Sequence, residues 1–151
     1  MYFTLISILI IIDQAIKWIS RTKLTKFESY PVIDGFFHFT YVENRGAAFG
    51  MLQNKTWFFV LITLLVVGYM IYFTKKNKNI DKKLTFVLSI ITAGAIGNLI
   101  DRIWLGFVVD MFDFRGIWQF VFNFADICVV VGGILLIFLI IKDKEILEKI
   151  W

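Results

Sequence analysis

The sequence predicts a mainly α-helical membrane protein: four transmembrane helices, short outer loops and a small periplasmic or extracytoplasmic β element. Three observations predict it. Apolar residues make up 59% of the 151-residue chain and mean hydropathy is +0.77, whereas a soluble domain sits nearer half apolar. The excess is gathered into four blocks near the roughly 20 residues that a membrane span needs. Dense lysine clusters flank those blocks, and a short period-2 alternation lies in the first long connection.

The blocks run over about 1–20, 56–74, 84–104 and 122–141. The first, MYFTLISILIIIDQAIKWIS, has neither the basic opening nor the small-x-small site of a cleaved secretory signal, so it reads as a retained helix. No internal repeat is evident, and 1–151 reads as a single membrane domain. The link KKNKNIDKK holds five lysines in nine residues, and the tail KDKEILEKIW holds three more. Positive loops stay in the cytoplasm. Both termini are therefore expected inside, with the connections about 21–55 and 105–121 outside. In the first connection, FFHFTYVENRGAAFG has apolar or aromatic residues at 37, 39 and 41 alternating with His38 and Thr40, then turn residues. A β region over about 30–52 is expected. FVVDMFDF (107–114) is compatible with a strand, but an apolar run does not decide it.

The polar residues inside the blocks fall at one depth. Asp13 and Lys17 lie in the outer half of block one. Asn98, Asp101 and Arg102 lie at the outer end of block three. Asn123 and Asp126 are expected in the first turns of block four, and Asp110 and Asp113 in the outer connection before it. Charges within spans are costly and by default mark a functional site. Asp13 and Lys17 are spaced to pair with each other. Gly94, Gly97 and the pair Gly132–Gly133 read as sites of close helix packing. Cys128 reads as a small buried residue.

The inventory narrows the chemistry. The net charge of +4 follows from membrane topology and is no sign of nucleic acid. One cysteine excludes an internal disulfide, and the lone His38 argues against a His-rich metal site. Ser7, Ser20, Ser29 and Ser89 share no motif with His38 for serine catalysis. Two readings stay open: a divalent ion held by Asp101, Asp110, Asp113 and Asp126, and a carboxylate pair sharing one proton.

Five motifs then occur in order: DQAIKW (13–18), ENRGAAFG (43–50), GAIGNLIDR (94–102), GFVVDMFDF (106–114) and FNFADICVVVG (122–132). With them the chain resembles the bacterial lipoprotein signal peptidases, or signal peptidase II, over essentially its whole length. The resemblance implies an aspartic endopeptidase of the bacterial cytoplasmic (inner) membrane. It would remove the signal peptide of a prolipoprotein just before the diacylglyceryl-modified cysteine. The family's catalytic pair falls on Asp110 and Asp126. Its supporting polar positions fall on Asp13, Lys17, Asn44, Gly46, Asn98, Asp101, Arg102 and Asn123. The NRGAAFG block is similar to the family's β cradle, which packs on the membrane surface. No metal or cofactor is implied. The implied partners are the lipidated precursor, membrane lipid and inhibitory cyclic peptides of the globomycin type, acting on a monomer. An extended FVVDMFDF would point Asp110 and Asp113 to opposite faces. The family pattern selects Asp110 and leaves Asp113 to bind the loop backbone or Arg115. The short interval from Asp110 to Asp126 must bring the two together with little slack. A proton or cation relay is the main rival, but relays thread the membrane and the inner halves of these spans lack ionisable groups. An inactive assembly protein is the second.

Overall fold

The computed structural model describes residues 2–46, 55–77 and 80–142. Along the chain come α1 (Tyr2–Lys23), β1 (Ser29–Ile33), β2 (Phe37–Asn44), α2 (Thr56–Lys76), α3 (Lys82–Trp104), β3 (Val108–Phe114) and α4 (Phe124–Lys142). All four helices are long and apolar enough to cross a membrane.

α3 is the central helix. In its most apolar stretch 67% of residues are buried, against 22% for α1, 11% for α2 and 17% for α4. The other three helices pack on it. Small residues allow the approach. A Cβ added at Gly97 would sit 2.5 Å from Asp13 Oδ2 and 3.2 Å from Ala125 Cβ, and one at Gly94 would collide with the Ala125 carbonyl oxygen. Gly132 likewise packs on Ile91, whereas Gly133 has open space around it. The expectation of close packing therefore holds for Gly132 and not for its neighbour. Cys128 is buried, against Gly94.

α1 buries one stripe: Tyr2, Ile6, Asp13, Lys17 and Ser20. The spacings of three, four and seven residues place these on one helical face. Phe3, Ile8, Ile11 and Trp18 on its other faces are exposed, as suits contact with lipid tails. At the opposite end of the bundle from the sheet, Tyr2 and Ile6 join Phe73, Leu84, Leu88 and Ala93 in an apolar core. There the Asp81 side chain accepts from Lys83 N at 2.7 Å and Leu84 N at 3.3 Å, capping α3.

The α1–α2 and α3–α4 connections together build one antiparallel sheet in the order β1-β2-β3. β1 carries Pro31, which cannot donate to a ladder, and it accordingly lies at an edge. β2 is irregular between Phe39 and Val42. Phe37 stacks on Phe114 with ring centroids 4.6 Å apart, and Phe114 on Phe122 at 5.8 Å.

The chain after β3 turns back at once. Gly116 adopts φ +78°, a left-handed conformation that residues with a Cβ rarely take. Phe122 then bridges Phe112, with N–H···O distances of 2.8 and 3.1 Å. This return is how the short interval is closed: it lays Asn123 beside β3 and starts α4 one residue later. Asn123 therefore stands before the helix, whereas the sequence placed it within the first turns. Of the expected β region, residues 47–52 lie outside the described residues, including the whole AAFG run.

Candidate active site

Asp110 enters from the middle of β3, and Asp126 from the first turn of α4. Asn123 connects them. Its Nδ2 donates to Asp110 Oδ1 at 2.6 Å, and its backbone N–H donates to Asp126 Oδ2 at 3.2 Å. The remaining oxygens are held by two further amides. Asn44, at the end of β2, donates from Nδ2 to Asp110 Oδ2 at 3.0 Å. Asn98 of α3 donates from Nδ2 to Asp126 Oδ1 at 2.7 Å. Every oxygen of the two carboxylates thus accepts from an asparagine.

The orientation of those amides is itself determined. Asn98 Oδ1 accepts from Lys17 Nζ at 3.0 Å and Asn123 Nδ2 at 3.2 Å. Asn123 Oδ1 accepts from Asp126 N at 2.9 Å, and Asn44 Oδ1 from Gly46 N at 3.0 Å. Each side-chain oxygen has a donor, so each NH2 group faces a carboxylate. Asp110 is 2% exposed. Burial, and next the charge of Asp126, raise its carboxyl well above the ordinary aspartate range; the Asn123 and Asn44 hydrogen bonds oppose the shift in part.

A buried ion cluster adjoins the pair. Lys17 Nζ is 3.0 Å from Asp13 Oδ2 and 3.0 Å from Asp101 Oδ2. Gln14, which the sequence reading did not single out, donates to Asp13 Oδ2, Asp101 Oδ1 and the Gly97 carbonyl at 3.1–3.2 Å. A neutral amide one position from Asp13 carries no charge signal that would have flagged it. Arg102 donates to the Gly46 carbonyl at 3.3 Å and lies over the Phe59 ring, 5.2 Å from its centroid.

All ten expected site positions are among the described residues. Nine of them touch this network directly through polar groups or through one another. Arg102 joins it through Gly46, which in turn holds Asn44. Asp113 is elsewhere. It accepts from Thr40 Oγ1 at 2.7 Å and pairs with Arg115 at 3.2 Å, on the opposite face of β3 from Asp110. Ser29 and His38, unrelated by motif, do meet: Ser29 Oγ is 2.9 Å from His38 Nδ1. Arg115 Nη2 also donates to Ser29 Oγ at 2.6 Å, and His38 Nε2 is buried without a partner. Among the described residues no carboxylate orients this histidine, so the contact is a tie between β1 and β2.

The comparisons with known proteins converge. A family model described as signal peptidase (SPase) II matches residues 5–142. A lipoprotein signal peptidase of Clostridioides difficile (strain 630) is 48% identical over 137 residues, covering 90% of this chain and 91% of its own. Another, from Caldanaerobacter subterraneus subsp. tengcongensis, is 48% identical over 141 residues, covering 93% and 96%. A solved structure described as a bacterial membrane enzyme superposes with a TM-score of 0.89 at 34% identity, covering 95% of this chain and 88% of that one. A second so described gives 0.84 at 34% identity, covering 94% and 93%. With four spanning helices, a pair of aspartates bound by asparagines and these relatives, the chain belongs to the lipoprotein signal peptidase (signal peptidase II) family.

Proposed function

We propose that this protein is an aspartic endopeptidase of the bacterial cytoplasmic membrane, with Asp110 and Asp126 as its catalytic pair. The substrate is a prolipoprotein cut before its diacylglyceryl-modified cysteine. The observation that carries the reading is Asn123, which hydrogen-bonds both carboxylates and so holds the buried Asp110 and the half-buried Asp126 beside one another.

Two such carboxylates share one proton. The ionised member takes a proton from a water molecule as its oxygen attacks the scissile carbonyl. The protonated member donates its hydrogen bond to the carbonyl oxygen, where negative charge develops. The tetrahedral species collapses, the C–N bond breaks, and a proton passes to the leaving amine. Asn44, Asn98 and Asn123 orient the pair, with Gly46 and Arg102 behind Asn44. Asp13, Lys17 and Asp101 support the elements that bear it. Neither metal nor cofactor has a part in these steps.

The lysine-rich link and tail support an orientation with both termini in the cytoplasm and the pair near the outer face. There a lipid-anchored cysteine reaches the pair from within the bilayer. Membrane lipid surrounds the spans, the enzyme acts as a monomer, and globomycin-type cyclic peptides compete for the same site.

The reading is tested with purified protein and a prolipoprotein precursor in lipidated and unlipidated forms. Only the lipidated form should be cleaved, at full rate in excess chelator. Equal cleavage of both forms would overturn the substrate assignment. Loss of activity in chelator, restored by a divalent cation, would replace the carboxylate-pair mechanism with a metal-dependent one.

A further inference from the structure

Asp13, Lys17 and Asp101 are 1%, 2% and 2% exposed. A buried ion pair is weak evidence for stability, because desolvation offsets its attraction and apolar groups of similar volume often serve as well. The contacts of this trio have a more specific arrangement. Asp13 Oδ1 accepts from Ala125 N at 2.9 Å, the residue before Asp126. Asp101 Oδ2 accepts from Val109 N at 3.0 Å, the residue before Asp110. Lys17 joins the two clamps at 3.0 Å on each side, and its third contact reaches Asn98 Oδ1 at 3.0 Å. An ammonium has three N–H donors, so these contacts use them all.

We infer that Asp13, Lys17 and Asp101 form a spacer that sets the separation of Asp110 and Asp126, with Lys17 as the positioning residue at its centre. The inference rests on the reading of those two aspartates as the catalytic pair. A continuous path runs from Ala125 through Asp13, Lys17 and Asp101 to Val109. It ties the start of α4 to β3 one residue behind each acid. Without the ammonium nothing ties the two clamps together, and where both buried carboxylates remain they also repel, so the backbone segments they hold move apart. Asn98 then loses the donor that keeps its amide turned toward Asp126.

Separation leaves a signature that simple loss of stability does not. The charged groups facing the pair are Asp13 and Lys17 from α1 and Asp101 and Arg102 from α3. Asn44 and Asn123, from β2 and the α4 cap, are neutral. Changing a nearby charge moves both limbs of a bell-shaped pH profile in the same direction. Changing the distance between two acids that share a proton alters their coupling, and hence the width of the bell.

The test uses the full-length protein in detergent with a lipidated precursor, following kcat and KM across pH. Two variants are compared with the parent: Lys17→Met, and the neutral set Asp13→Asn, Lys17→Met and Asp101→Asn. The neutral set keeps side-chain carbonyls for Ala125 N and Val109 N and leaves no buried charge unpaired, so it serves where the single variant fails to fold. In the folded variant, kcat should fall on the order of 100-fold, the loss expected for a misplacement near 1 Å. KM should change by less than about threefold, and the bell should narrow. A folded variant with parental kcat and an unchanged bell overturns the spacer. So does a loss of rate that tracks the folded fraction at constant width. Asp110→Asn and Asp126→Asn run in parallel. If either cleaves normally, the catalytic-pair reading fails; if both are inactive while the Lys17 variants match the parent, only the spacer fails.

Discussion

Asn123 meets both aspartates because it does two things at the head of α4. Its side chain accepts from Asp126 N at 2.9 Å while Asp126 Oδ2 accepts from Asn123 N at 3.2 Å. This is a reciprocal cap of the kind that usually pairs a hydroxyl residue with Glu or Gln. The cap orients Asp126 and leaves Nδ2 free for Asp110. Asn44 acts on Asp110 alone, and its effect has a definite sign. Its hydrogen bond favours the charged form, so removing it raises the Asp110 carboxyl further. Asn44→Ala should move the alkaline limb of the pH–rate profile up by about one unit, the scale of a hydrogen bond to a charged group, with a lower kcat. A limb that stays or moves down would show that Asp110 does not govern it. That these polar residues gather in one place was legible in the sequence, because charges inside spans are too costly to be incidental. Their pairings were not. Lys17 reaches Asn98 from 81 residues away, and no local pattern records that. The i,i+4 spacing exposed the Asp13–Lys17 pair but hid Asp101 as the second partner.

At the scale of elements, helix type and number were legible because four apolar blocks leave little choice in a bilayer, and the ends shifted by only a few residues. β2 was legible from its alternation. β3 was not settled, because a strand covered on both faces reads as a continuous apolar run; Val108, Val109, Asp110 and Met111 are all buried. β1 falls within the expected β region of about 30–52 but was not resolved there as a separate strand, because Ser29–Ile33 has a proline and no clear alternation; it exists as an edge laid on β2. The contact of α3 with α1 and α4 is the element on which site geometry most depends. Gly97→Ala would press a methyl group to 2.5 Å from Asp13 Oδ2. That oxygen is held by Lys17 and Gln14 and has little room to yield. The substitution should destabilise the protein by about 1–3 kcal/mol, as overpacking does, and lower cleavage with it. Gly133→Ala, with open space around it, serves as the control. Thermal unfolding in detergent checks both, and equal midpoints would contradict the packing account.

At the scale of the whole molecule, one apolar bundle centred on α3 ends in a sheet-covered polar site. The lysine-rich link and tail belong to the other end by sequence order. Cysteines placed in the lysine-rich link and in the turn after β3, in a Cys128→Ala background, should react with a membrane-impermeant thiol reagent in opposite compartments. Labelling of the link from outside intact cells would invert the proposed orientation. The chemistry proposed within that frame rests on two carboxyl groups. It is tested most directly by the rate at which purified Asp110→Asn and Asp126→Asn proteins cleave a lipidated prolipoprotein. Each substitution preserves shape and a side-chain acceptor while removing the shared proton. Both variants should remain folded, and both should lose cleavage to background. Near-parental turnover by either one would contradict it.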